Sequence, residues 1–201
     1  MSITILDILW GLFGYFAGAV PFGLLVAHMA GKGDVRKIGS GNIGATNVLR
    51  TGSPALAAIT LFLDMFKGFI PVLAARWNAT ETAALLAGLG AFTGHVFPIW
   101  LKFRGGKGVA TYIGILFGLS WPLGLACIGI WLATAFISRI SSLSALVSAA
   151  LMPLLAWLMG ASPLRIGFLA ALGAAIFLTH RANIARLLRG EESRIEFKSK
   201  T

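Results

Sequence analysis

The chain has 201 residues, of which 57% are hydrophobic and only 12% are charged, and its net charge is +10. Soluble domains carry about 25% charged residues, so this composition excludes an ordinary water-soluble protein and predicts an all-α integral membrane protein. The Lys and Arg residues lie mostly in loops between apolar stretches, as in the cytoplasmic loops of membrane proteins, which makes nucleic-acid binding an unnecessary hypothesis. Cys127 is the only cysteine, so no disulfide can form within the chain, and we expect it to serve packing.

The first predicted span covers about residues 5–27 and contains Pro21, which can kink a helix. The segment before it carries no basic residue. Because a signal peptide begins with positive charge, we interpret this span as a retained helix and not as a cleaved leader.

A polar loop at residues 39–50 follows, with the sequence Gly-Ser-Gly-Asn-Ile-Gly-Ala-Thr-Asn-Val-Leu-Arg. Its glycines allow turns with positive φ and a close approach to a ligand, and exposed backbone amides in such a loop can bind an anion. The side chains that add donors are Ser40, Asn42, Thr46, Asn47 and Arg50. The dinucleotide fingerprint G-x-G-x-x-G is matched only formally, because no strand precedes it. We predict a phosphate-binding loop at a membrane surface, with a flexible connecting loop as the alternative.

The second predicted span covers about residues 54–75 and begins with Ser53 as N-cap and Pro54 at the first helical position. Asp64 and Lys67 lie three positions apart in the middle of this span, and therefore on one helix face. Charges inside a membrane are costly and usually paired. We interpret the two as an internal structural ion pair, with a catalytic role as the alternative.

A third span is predicted at about residues 82–101, and a second polar stretch covers residues 94–108. This stretch contains His95 and Arg104, and three glycines surround Lys107: Gly105, Gly106 and Gly108. It has the chemistry of a phosphate-binding turn, although no Walker A motif occurs in the chain.

Residues 109–137 carry no formal charge and could form one long helix or two short ones, with Trp121-Pro122 in the middle. The charge rule favours a hairpin, because that option places every Lys and Arg except Lys67, Arg76 and Arg165 on one side. The sixth and seventh spans are then about residues 145–159 and 163–179.

The predicted topology has seven transmembrane helices, with the N-terminus outside and the C-terminus in the cytoplasm. Four polar patches, at residues 39–50, 95–108, 138–144 and 180–189, would then face the cytoplasm together and could form one site. In the last patch His180 and Asn183 share a helix face. The charged residues after Gly190 are expected to be a solvated end.

The patches are rich in cations, amides and hydroxyls, and Asp34 is the only acid in the first two cytoplasmic loops. We therefore expect no carboxylate-bound metal and no cofactor. His28, His95 and His180 lack the spacing of a zinc site.

Taken in order, three motifs resemble the bacterial acyl-phosphate:glycerol-3-phosphate acyltransferases of the PlsY type. They are Ser40-Gly41-Asn42 through Thr46-Asn47 and Arg50, then Gly94-His95 with Arg104-Gly105-Gly106-Lys107-Gly108, then His180-Arg181-x-Asn183-Ile184. The resemblance covers essentially the whole chain. It implies a single membrane-embedded acyltransferase domain over residues 1–201, in the bacterial cytoplasmic (inner) membrane, with its active site facing the cytoplasm. It also implies acyl transfer from acyl phosphate to the sn-1 hydroxyl of glycerol 3-phosphate, giving lysophosphatidic acid and phosphate.

The resemblance implies His180, Asn183 and Lys107 as catalytic residues. It implies the following as substrate-binding residues: Ser40, Asn42, Thr46, Asn47, Arg50, His95, Arg104, Gly105, Gly106, Gly108, Ser141 and Ser142. The choice between Ser141 and Ser142 stays open, because isoleucine follows Arg139 where the family commonly has an aromatic residue.

Two other functions are alternatives to this interpretation: an acyl-CoA-dependent acyltransferase and an anion transporter. The His-x-x-x-x-Asp motif of acyl-CoA enzymes is absent, which is consistent with a different donor. A transporter of small phosphate-like anions would also need a basic vestibule, but its polar groups should lie near the bilayer midplane. The sequence leaves open whether His180 or a substrate phosphate accepts the proton, and it leaves the oligomeric state open.

Overall fold

The computed structural model describes residues 3–195, in which helices joined by loops and turns occur and no strand is present. The helices are α1 Ile5–Ala19, α2 Phe22–Met29, α3 Ala45–Leu49, α4 Pro54–Asn78, α5 Glu81–Val96, α6 Val109–Leu119, α7 Trp121–Ser138, α8 Ser141–Leu158, α9 Pro163–Thr179 and α10 Arg181–Leu188. Two short 3-10 turns lie at Val35–Lys37 and Ile99–Leu101. The predicted all-α class is confirmed for this part of the chain.

Five helical stretches in residues 3–195 are long and apolar enough to cross a membrane: Ile5–Met29, Pro54–Asn78, Glu81–Leu101, Trp121–Ser138 and Ser141–Leu158. A sixth is possible if α9 and α10, which meet at a bend of 64°, are taken as one broken span. Helix α6 has only 11 residues, which is about 16 Å of helix against a hydrocarbon core of about 30 Å. Seven spans and the orientation of the termini therefore stay predictions.

The helix boundaries follow local signals in the sequence. Helix α1 ends just before Pro21 and α2 begins just after it, because proline lacks the N–H that a continuous helix needs. Ser53 caps α4 by accepting from the Leu56 amide at 3.4 Å, and Pro54 is the first helical residue. The apolar stretch after residue 108 divides at Ser120, one residue before the predicted break.

The contacts divide the chain into two compact units, one ending at Gly124 and one beginning at Leu125. In the first unit, α1 packs against α5, and α4 packs against both α5 and α6. Gly14 and Gly18 of α1 lie directly against the backbone of Ala87 and Ala91, with no room for a Cβ atom. Small residues that let helix backbones approach closely supply much of the packing energy between membrane helices.

Two polar ties connect helices of the first unit at their ends. Buried Asp7 accepts hydrogen bonds from the Thr4 hydroxyl at 2.7 Å and from the Thr80 hydroxyl at 2.8 Å, which joins the starts of α1 and α5. Arg76, in the last turn of α4, donates to the Leu119 carbonyl at 2.8 Å. It thereby satisfies a backbone acceptor at the C-terminus of α6.

In the second unit α8 packs against α9, and α10 leaves α9 at the bend. Cys127 is buried, which fits the expected packing role.

Candidate functional site

The first glycine loop (residues 39–50) stands on a small apolar cluster formed by Ala27, Val35, Val48 and Ala57. Val35 comes from the preceding 3-10 turn and Val48 from α3. Both ends of the loop are therefore anchored by buried side chains, which argues against the alternative of a merely flexible connection.

Asn47 holds this loop together from inside. Its side-chain amide donates to the carbonyls of Val35 at 2.7 Å and Asn42 at 2.8 Å. Its side-chain oxygen accepts from the Ser40 amide at 3.1 Å. Asn47 is buried, so its hydrogen-bonding capacity is used by the loop itself.

The other predicted residues of the loop lie nearer its surface. Ser40, Thr46 and Arg50 are exposed, and the Arg50 side chain lies against Gly39, where a Cβ would clash with it. Gly39 has a φ of +53°, in the left-handed region that favours glycine. Asn42 accepts from the Gly44 amide at 2.8 Å, which turns the chain into α3.

An ion pair lies just before this loop. Arg36 contacts Asp34 at 2.7 Å, and the hydrogen bond from its guanidinium lowers the pKa of the Asp34 carboxyl to about 2. The only acid of this region is thus neutralised locally, which leaves the charge of the loop positive.

The second glycine loop (residues 105–108) folds back onto the end of α5. The amides of Gly105 and Gly106 donate to the carbonyls of Val96 and His95, each at 3.0 Å. Gly106 lies directly over His95 Nε2, leaving no space for a Cβ. This close approach explains why the loop needs glycine there.

The predicted cations of this loop differ in exposure, since Arg104 is exposed and Lys107 is half-buried. Gly108, with a φ of +86°, turns the chain into α6 and lies against the Phe92 ring.

The predicted ion pair in α4 is present. Lys67 Nζ lies 2.8 Å from Asp64 Oδ1, and both side chains are buried. His95 Nδ1 lies 3.8 Å from the same carboxylate oxygen. His95 was assigned to substrate binding from the sequence; here it is a buried residue beneath the second glycine loop.

In the second unit, buried His180 ends α9. Its Nδ1 lies 2.8 Å from the Ile176 carbonyl oxygen. Because a carbonyl can only accept, the proton of this contact lies on Nδ1, and Nε2 is then the acceptor whenever the ring is neutral. A general base needs an unprotonated nitrogen that faces the proton it removes, and in this tautomer Nε2 is that nitrogen.

The Glu192 carboxylate accepts hydrogen bonds from three side chains of this unit. It accepts from Ser142 Oγ at 2.8 Å, Asn183 Nδ2 at 2.5 Å and Arg186 Nε at 2.6 Å. Burial raises the pKa of its carboxyl, but the hydrogen bonds outweigh burial and the pKa lies below its usual value. The expectation that the tail after Gly190 is solvated is wrong for this residue, whose side chain is only 6% exposed.

The two candidate serines differ in their surroundings. Ser142 is buried against Glu192, whereas Ser141 is half-buried at the first position of α8. The contacts of Glu192 were missed from the sequence; the signal for them is an acid placed just after a basic helix that carries Asn183.

These features define a class of protein: an all-helical, multi-pass membrane protein whose polar loops present cations and amides. No group of three or more His, Cys, Asp or Glu residues within residues 3–195 could hold a metal ion.

Comparison with known proteins identifies the family. The family model for glycerol-3-phosphate acyltransferase matches residues 8–190. The chain is 56% identical over 183 residues to a glycerol-3-phosphate acyltransferase of Mesorhizobium japonicum, covering 91% of this chain and 93% of that one. It is 50% identical over 195 residues to the one of Brucella anthropi, covering 97% and 95%.

Solved structures agree. The crystal structure of PlsY (YgiH), an integral membrane glycerol 3-phosphate acyltransferase, in its glycerol 3-phosphate form is similar with a TM-score of 0.89 and 34% identity over 94% of this chain and 96% of that one. Its lysophosphatidic acid form is similar with a TM-score of 0.88 and 33% identity over 94% and 95%. The chain therefore belongs to the glycerol-3-phosphate acyltransferase family of the PlsY type and is an acyltransferase, as the resemblance predicted.

Proposed function

We propose that this enzyme transfers a fatty acyl group from acyl phosphate to the sn-1 hydroxyl of glycerol 3-phosphate. The hydroxyl oxygen attacks the acyl carbonyl carbon, the bond from that carbon to the phosphate oxygen breaks, and lysophosphatidic acid and inorganic phosphate leave. The observation that carries the proposal is the similarity to PlsY in forms with glycerol 3-phosphate and with lysophosphatidic acid. Glycine loops with Arg50 and Lys107 support phosphate binding.

Acyl phosphate carries a good leaving group, so direct attack needs no acyl-enzyme. The protein has to clamp two phosphates, orient the hydroxyl and receive its proton. We assign the phosphates to the first glycine loop, through Ser40, Asn42, Thr46 and Arg50, and to the second, through Arg104 and Lys107. Asn47 would act by holding the first loop in shape.

His180 and Asn183 would orient glycerol 3-phosphate. The contact of Nδ1 with the Ile176 carbonyl supports a role of Nε2 as the proton acceptor, and a phosphate oxygen is the competing acceptor. Ser141 and Ser142 would contribute hydroxyl donors. Neither Ser40 nor Ser142 is proposed as a nucleophile, because neither has an evident Ser–His–acid set in the sequence.

We also propose the cellular setting that the charge pattern supports. The enzyme would lie in the bacterial cytoplasmic membrane with seven spans, the N-terminus outside, and the polar loops facing the cytoplasm. Cysteine labelling at positions 36, 104, 142 and 186 tests this orientation. A single position that reacts only from the outer side would contradict it.

The test of function is a transfer assay. Purified enzyme in lipid should convert acyl phosphate and labelled glycerol 3-phosphate to labelled lysophosphatidic acid with release of phosphate, and acyl-CoA should not replace the donor. His180→Ala should reduce kcat by about 10²–10⁴-fold if the imidazole accepts the proton. A loss of only a few fold would assign the proton to a phosphate oxygen. Labelled acyl group trapped on a serine would overturn direct transfer.

A further inference from the structure

Asp64, Lys67 and His95 form a polar cluster in the interior of the first unit, where the three residues are 2%, 5% and 3% exposed. The proposed reaction assigns no direct role to Asp64 or Lys67. Charged groups inside a membrane protein are costly, and where they occur they usually serve function. The contacts of the cluster indicate what that function is.

One side of the cluster supports the first glycine loop. Lys67 Nζ, held by Asp64, also donates to the Val20 carbonyl at 2.8 Å, at the break between α1 and α2. Helix α2 begins two residues later, and its Gly23 lies directly against the Ile43 carbonyl oxygen in the first glycine loop, with no room for a Cβ. A shift of Val20 would therefore move the start of α2, and with it the Ile43 backbone of the first glycine loop.

The other side of the cluster supports the second glycine loop. His95 Nδ1 faces Asp64 Oδ1 at 3.8 Å, and the opposite ring atom, Nε2, lies beneath Gly106. The Gly106 amide also donates to the His95 carbonyl at 3.0 Å. A shift of the imidazole would therefore move the backbone next to Lys107.

We propose that Asp64 and Lys67 are positioning residues that hold the two glycine loops at a fixed distance from each other. The consequence for catalysis rests on the proposed function, in which both loops bind substrate phosphates. Displacing a bound group by about 1 Å can cost about 10²-fold in rate. A pair that only stabilises the fold behaves differently, because an apolar pair of similar volume often replaces a buried ion pair without loss.

The test is the double variant Asp64→Leu/Lys67→Met, which removes both charges and leaves neither one buried alone. We expect a folded enzyme with kcat/KM reduced about 10- to 100-fold, with a higher KM for glycerol 3-phosphate and a lower kcat. Asp7→Asn is the matched control, since Asp7 is also a buried carboxylate of this unit, tied to Thr4 and Thr80 at the starts of α1 and α5. The control should lose stability and keep both kinetic constants. A folded double variant with wild-type kcat/KM would overturn the proposal.

If the double variant does not fold, hydrogen–deuterium exchange in the isosteric variant Asp64→Asn gives the answer. Amides in residues 39–50 and 105–108 should exchange at least tenfold faster than in the wild type, while amides along α1 and α5 keep their rates. Unchanged exchange in both loops refutes the positioning role. Hydrogen–deuterium exchange does not depend on enzyme activity. If the wild-type enzyme failed to use acyl phosphate, the proposed reaction would be refuted, and the exchange rates would still decide whether Asp64 and Lys67 position the loops.

Discussion

Replacing Asn47 by alanine should disorganise the first glycine loop and strongly reduce acyl transfer. Asn47 is 2% exposed. Its side chain donates to the Val35 carbonyl at 2.7 Å and to the Asn42 carbonyl at 2.8 Å, and accepts from the Ser40 amide at 3.1 Å.

The magnitude follows from these bonds. A hydrogen bond contributes about 0.5–1.5 kcal/mol net to stability, so the loss of three should cost about 1.5–4.5 kcal/mol. Because all three bonds lie within residues 35–47, we expect the loop to open locally at that cost while the helices stay folded. Activity should therefore fall although the helices stay folded, with kcat/KM down by about 10²-fold or more.

The assay pairs thermal unfolding of the purified protein with transfer kinetics. Thr46→Ala is the matched control for stability, because Thr46 is exposed in the same loop and a surface substitution usually stays within about 0.5 kcal/mol. Asn47→Asp keeps the acceptor and removes both donors, so it should behave like Asn47→Ala. Wild-type stability and activity in Asn47→Asp would refute the assignment of Asn47 as the centre of the loop.

Three further predictions concern the other polar elements. Glu192→Gln should lower the unfolding temperature near neutral pH. The pKa of Glu192 is depressed in the folded state, so the stability that its carboxylate contributes is present above the usual carboxyl pKa and is lost as the pH falls through the depressed value. The difference in unfolding temperature from the wild type should therefore shrink on acidification. A difference that is constant down to low pH would contradict this. Gly106→Ala must displace the imidazole beneath it and should cost about 1–3 kcal/mol with a raised KM, whereas Gly167→Ala, with open space for the methyl group, should be neutral or stabilising in a melting experiment. Arg50→Lys keeps the charge but loses the bidentate fork, so kcat/KM should fall clearly; wild-type kinetics would leave Arg50 a role in topology only.

Some helix boundaries were predictable because their signals are local, whereas α8 begins at Ser141, before the predicted residue 145, and α5 ends at Val96, before the predicted residue 101. Ser53 and Pro54 start α4, and the proline at position 21 separates α1 from α2, as expected from residues within one helical turn. The Asp64–Lys67 pair was predictable for the same reason, since three positions on a helix bring two side chains to one face.

The roles of individual polar residues were harder to predict, because they depend on contacts between distant segments. Asn47 is a residue type that often hydrogen-bonds a ligand, yet its side-chain amide donates to the Val35 carbonyl within the protein. Glu192 reaches Ser142 across fifty positions of sequence. His95 lies under Gly106 because a turn with left-handed Lys102 reverses the chain after α5. None of these contacts has a signature at short range.

Arg76 strengthens the argument for the orientation of the chain. It is one of the few basic residues on the predicted outer side, and each such residue weakens a rule based on charge asymmetry. Its guanidinium donates to the carbonyls of Leu119 at 2.8 Å and Gly118 at 3.3 Å, where the C-terminal end of α6 carries partial negative charge. A cation that caps a helix has a structural reason for its position and is a poor guide to sidedness. With Arg76 explained in this way and Lys67 paired inside, Arg165 alone remains against the proposed cytoplasmic side, and the charge asymmetry that supports it becomes sharper.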